Sequence, residues 1–107
     1  MPTWNTPKTR NLLNAVLQLK SQDEARRFFR DLLTAEELLE FSRRWQAAQL
    51  LNQKVPYTKI VKVTGLSSTT VARVQCWLQG KLGGYRLMLN RLGHHAHASP
   101  HSRLKEA

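Results

Sequence analysis

The stretch from Pro56 to Leu78, PYTKIVKVTGLSSTTVARVQCWL, decides how this chain is read. Pro56 stops or restarts the backbone, because proline lacks an amide hydrogen and fixes φ. After it, Tyr57, Ile60, Val61 and Val63 predict a short helix ending before Thr64 and Gly65. Gly65 is the natural turn. Ser67 then stands where a hydroxyl caps the next helix, Ser68 to Leu78. At about 100° per residue, Val71, Val74 and Leu78 share one face of that helix and are expected to pack on the first helix. Thr69, Ala72, Arg73 and Cys76 point the other way, and Ser68 sits at the exposed start. Two short helices joined by a glycine turn make a helix-turn-helix, spanning about 56–78, in which the first helix steadies a second that enters the DNA major groove.

The outward residues suit that task. They are small and polar apart from Arg73, so hydroxyls can exchange hydrogen bonds with base edges and a methyl can meet thymine. Ser67 and the free amides of the first turn can hold a phosphate, with Tyr57, Thr58, Lys59 and Lys62 placed to grip the backbone nearby. The candidate DNA contacts are therefore Tyr57, Thr58, Lys59, Lys62, Ser67, Ser68, Thr69, Ala72 and Arg73. An apolar helix pair with a glycine turn is also ordinary core architecture, and charge separates the two readings. The chain carries 17 Lys and Arg against 7 Asp and Glu, a formal net charge of +10, and no acidic residue lies between Glu40 and Glu106. Such a field favours a polyanion, releasing counterions where that polyanion is nucleic acid.

Outward from the motif, every periodic segment reads as helix. A polar N-terminal segment, 1–11, precedes Leu12, Leu13, Val16 and Leu17 at helical spacing. Ser21 can open a second helix carrying Ala25, Phe28, Phe29 and Leu32. Thr34 and Glu37 form a capping box for a long third helix, Ala35 to about Gln53. That helix is apolar around much of its girth, with Leu38, Leu39, Phe41, Trp45, Ala48, Leu50 and Leu51, so it is expected to pack on two sides. A second copy of the chain is the natural second partner, since burial contributes about 25 cal/mol per Å². Gly80, Gly83 and Gly84 interrupt the chain before a final helix from about Tyr85 to Leu92. The fold class is all-α, with about six short helices in one domain, 12–92, and a flexible His-rich tail, 93–107.

At 107 residues the chain is long enough for one compact core. Its single cysteine, Cys76, precludes an intramolecular disulfide framework. His94, His95, His97 and His101 have the donor chemistry for a transition metal, but their loose spacing fits a polar tail and no metal site is assigned. The polar start has no apolar leader and no run is long enough to span a bilayer, so a cytoplasmic protein without a membrane partner is expected. Paired carboxylates, a nucleophile with its base and a phosphate-loop glycine pattern are all missing from the basic half, which argues against an enzyme.

The chain resembles the Trp repressor-like family, and within it the YerC/YecD group. The resemblance runs from about Leu32 to Leu92, through LLTAEEL at Leu32 to Leu38, the Arg44 to Leu51 helix, TGLSSTTVARV at Thr64 to Val74 and GGYRLMLNRL at Gly83 to Leu92. It implies an intertwined homodimer, its outer helices making a shared core and its helix-turn-helix units reading two half-sites of a pseudo-palindromic operator to repress transcription. It also implies an effector site beside the recognition helix, with Arg44 (or Arg43, one register away), Arg73 and Thr34 as its residues. No cofactor is required; the ligand would be a small-molecule corepressor such as an amino acid or other small carboxylate. Val74 and Trp77 stand where Trp repressor has glycine and serine, and both would crowd an indole, so tryptophan is not inferred. Two alternatives stay open: Arg73 contacting DNA phosphate with Arg44 a solvated charge, and a basic RNA-associated or architectural protein without sequence discrimination.

Overall fold

The structure, a computed structural model, describes residues 3–98, with side chains described through residue 93. Six helices follow in order: α1 (Pro7–Val16), α2 (Gln22–Leu32), α3 (Ala35–Asn52), α4 (Tyr57–Thr64), α5 (Ser68–Leu78) and α6 (Gly84–Ala98). No strand occurs among the described residues, so the chain is all-α as expected. It forms two compact units that divide within α3, one up to Leu39 and one from Glu40.

In the N-terminal unit each helix begins on a side-chain cap. Thr6, in an extended conformation, accepts a hydrogen bond from the Thr9 amide at 3.1 Å, and Pro7 follows in the first turn, where its missing N–H costs nothing. The helix therefore starts inside the polar N-terminal segment 1–11, ahead of the apolar spacing that begins at Leu12, and the Thr-Pro pair marks its start. Ser21 accepts from the Glu24 amide at 3.1 Å while Glu24 Oε1 accepts from the Lys20 amide at 2.9 Å. At α3 the capping box is complete: the Glu37 amide donates to Thr34 Oγ1 at 3.1 Å and the Thr34 amide to Glu37 Oε1 at 2.9 Å. Neither α1 nor α2 buries a residue, and Leu12, Leu13, Leu17, Leu32 and Leu39 are exposed.

The C-terminal unit holds the core. Ala47, Ala48 and Leu51 of α3, Ile60 of α4, Leu66 of the turn after it, Val71, Val74 and Leu78 of α5, and Leu89 of α6 form one buried cluster. Two alanines side by side on α3 keep that helix surface low, and α5 packs against both α4 and α6. Ile60, Val71 and Val74 are fully buried; each contributes roughly 1.5 to 3 kcal/mol of transfer free energy before entropy is subtracted. Gly83 takes the left-handed conformation, φ 73°, directly before α6, whereas Gly93 is helical. With nothing at Gly93 to stop it, α6 continues to Ala98, past the Leu92 boundary and into the segment expected as a flexible tail. The rest of that tail, 99–107, lies outside the described residues. Arg86 donates to Asn52 Oδ1 at 2.7 Å and ties the first turn of α6 to the end of α3.

Candidate nucleic-acid interface

The connection between α4 and α5 is short and fully specified. Gly65 adopts φ 78°, and its amide donates to the Val61 carbonyl at 3.0 Å, closing α4. Leu66 dips into the core, and Ser67 caps α5 by accepting from the Thr70 amide at 3.1 Å. These three residues join α4 to α5, whose start at Ser68 and Thr69 is exposed.

The faces of α5 sort as the helical spacing predicts: Val71, Val74 and Leu78 are buried, while Thr69, Ala72, Arg73 and Cys76 are exposed. All nine candidate DNA contacts, Tyr57, Thr58, Lys59, Lys62, Ser67, Ser68, Thr69, Ala72 and Arg73, are exposed. Thr58, Lys59 and Lys62 border one concavity of about 370 Å³ on α4, so two of the cations lie on a single patch. Among the described residues of this unit the one carboxylate is Glu40, and it pairs with Arg44 at 3.6 Å. No acid therefore offsets the cations of α4, α5 and their turn.

The residues assigned to an effector have separate surroundings. Arg44 is half-buried: its guanidinium lies 5.8 Å from the centre of the Phe41 ring, and its Nε is shielded from solvent without a hydrogen bond. Arg43 is also half-buried, and Arg73 is exposed on α5. The Thr34 hydroxyl and amide are both engaged in the cap of α3. Val74 is fully buried in the core.

Trp77, about half exposed, borders an open groove of about 740 Å³ with Trp45, Lys81, Leu82, Tyr85 and Met88. Tyr85 stacks on Trp45 with ring centres 6.2 Å apart and planes at 26°. Burial raises its phenol above the ordinary tyrosine value, and the nearby Arg44 charge opposes part of that rise. The sequence reading missed this groove because its walls come from α3, the end of α5, the following loop and α6, which share no local period. It also missed buried Thr64 at the turn, although a threonine directly before the turn glycine was visible.

Among the described residues no group of histidine, cysteine, aspartate and glutamate side chains could hold a metal ion, and no helix is long and apolar enough to cross a membrane. Cys76 is a free, exposed thiol.

Known proteins share both the sequence pattern and the arrangement of helices. Residues 8–93 match the Trp repressor protein family. The chain is 36% identical over 81 residues to the uncharacterized protein YerC of Bacillus subtilis strain 168, covering 76% of this chain and 78% of that one. The crystal structure of a TrpR-like protein from Eubacterium eligens superposes with a TM-score of 0.76 at 37% identity, over 83% of this chain and 92% of the other. A candidate Trp repressor from Staphylococcus aureus gives a TM-score of 0.78 at 31% identity, over 83% and 89% of the two chains. With the match running from α1 into α6 and the same fold in two solved relatives, the chain belongs to the Trp repressor family.

Proposed function

We propose that this protein is a sequence-specific DNA-binding transcriptional regulator, a repressor that binds a pseudo-palindromic operator as a homodimer. The observation that carries the proposal is the two-sidedness of α5. Its apolar face is fully engaged in the core, while its small, polar opposite face stands free in a field that no carboxylate of α4, α5 or α6 offsets. A helix that served only packing would need the first property but not the second. Thr69 and Ala72 meet base edges, Ser67, Ser68 and Arg73 engage the flanking phosphates and bases, and Tyr57, Thr58, Lys59 and Lys62 grip the backbone.

Dimerisation accounts for the large apolar side chains that the single chain leaves exposed, including Leu12, Leu13, Leu17, Leu39 and Phe41. A two-fold pair would present its recognition helices about 34 Å apart, one turn of DNA, as helix-turn-helix dimers do. A small carboxylate effector is a further part of the proposal. Arg44, whose Nε faces Glu40 at 3.6 Å without a hydrogen bond, and Arg73 are the guanidinium groups offered to it. No cofactor and no catalytic residue are proposed.

The experiment is a salt series of binding to three competitors: duplexes selected from random DNA, random duplex and structured RNA. The proposal expects tight, two-fold binding to the selected duplex, weaker binding to random duplex, and steep loss of both as salt rises. Equal affinity for all three would favour the architectural or RNA-associated alternative and overturn it.

A further inference from the structure

Thr64, at the last position of α4, is the buried polar residue of the C-terminal core, 5% exposed. Its hydroxyl donates to the Ile60 carbonyl at 2.7 Å and accepts from the Leu66 amide at 3.2 Å. One oxygen thus joins the last turn of α4 to the residue that follows the turn glycine. We infer that Thr64 is a positioning residue for DNA reading: its hydroxyl clasps the turn and sets where α5 begins. The inference rests on the assignment of α5 as the reading helix.

At the end of α4 the Gly65 amide is satisfied by Val61, but the next amide, of buried Leu66, has passed beyond the helix ladder. An amide buried there needs a partner, and the Thr64 hydroxyl is one that the chain itself carries two residues back. Leu66 is therefore held twice, by its side chain in the core and by its amide on Thr64. Ser67, the cap of α5, is the next residue, and the exposed reading face starts at Ser68 and Thr69.

Hydrogen bonds to base edges weaken beyond about 3.2 Å, so a displacement of a few tenths of an ångström at Ser67 degrades them. Phosphate contacts from flexible lysines tolerate the same displacement. Val71, Val74 and Leu78 keep α5 folded and docked whether or not the clasp is present. Losing the hydroxyl should therefore injure discrimination more than it injures the fold or general DNA affinity.

The test compares Thr64→Val, which keeps the shape and removes the hydroxyl, with Thr64→Ser, which keeps the hydroxyl and removes a methyl. The readout is the ratio of affinities for the wild-type-selected duplex and random duplex at one salt concentration. A lower folded fraction scales both affinities alike and leaves the ratio unmoved, so the ratio separates positioning from stability. Thr64→Val is expected to lower it roughly tenfold, about the loss of one well-made base contact, with random-duplex affinity little changed. Thr64→Ser is expected to retain it. Should Thr64→Val not fold, Thr64→Ala against Thr64→Ser makes the same comparison with the methyl absent from both. A ratio that Thr64→Val keeps, or that Thr64→Ser loses as fully as the variant without a hydroxyl, overturns the inference alone. A wild-type ratio near one overturns the reading-helix assignment, and this inference with it.

Discussion

Replacing Gly65 by alanine isolates the backbone geometry on which the helix-turn-helix depends. Gly65 has φ +78°, and a methyl built on it meets nothing within 4 Å. The substitution therefore costs no steric clash, only left-handed backbone strain of about 1 to 2 kcal/mol. Against that, alanine narrows the unfolded ensemble and returns about 0.4 to 1 kcal/mol. The net expectation is a loss of about 1 kcal/mol, or about 4 to 8 °C in Tm for a domain of this size. Gly65→Asn should lose less, because asparagine tolerates the left-handed region. The assay is urea unfolding at fixed protomer concentration, since a dimer's stability depends on it. The midpoint should fall while the slope is unchanged. An alanine variant clearly more stable than the wild type would refute a left-handed turn at this position. A loss above about 3 kcal/mol would show that a side chain meets resistance there, more than backbone strain alone accounts for.

Three further outcomes follow from the same structure. Lys59→Ala and Lys62→Ala should each weaken every duplex to a similar degree and lower the salt slope by about 0.9, the signature of one lost phosphate contact; a variant that changes sequence preference instead would move that lysine to the reading face. Ile60→Ala removes a fully buried side chain from the α4 contact and should cost about 2 to 5 kcal/mol in urea unfolding, whereas a loss below 1 kcal/mol would mean that the site is not closed. Burial raises the Tyr85 pKa above its ordinary value of 10.0, so its stabilisation is complete below that pH and is lost as pH climbs through the raised value. Relative to Tyr85→Phe, the wild type should lose stability only in alkaline solution, and equal alkaline profiles would contradict the assignment.

The parts of the fold written in local pattern were legible before any coordinates. Val71, Val74 and Leu78 recur at helical spacing, and they are the buried face of α5. Thr34 and Glu37 stand three apart, and they form the capping box. Helix ends were less legible: α1 starts at Pro7 on the Thr6 cap, and α6 passes through Gly93 because a glycine permits a stop without imposing one. Nonlocal contacts were not legible. Trp45 and Tyr85 stack across 40 positions of sequence, and Arg86 reaches Asn52 across 34; neither pair leaves a periodic trace. The sequence pattern ends the helix before Thr64, whereas Thr64 is its last residue, because a hydroxyl that accepts from its second neighbour looks in sequence like any turn residue.

Whether the exposed face of α5 reads DNA for a two-fold protein is decided by selecting bound duplexes from random DNA with the wild type and Thr69→Ala in parallel. Thr69 lies in the first turn of α5 on the exposed face and is not needed for the cap, which Ser67 and Thr70 form. The wild type should select a pseudo-palindromic motif with half-sites about 10 base pairs apart. In the variant one base pair should lose its preference symmetrically in both halves, by roughly 1 to 3 kcal/mol. No enriched motif from the wild type, or an identical motif and affinity from Thr69→Ala, would contradict that role for α5.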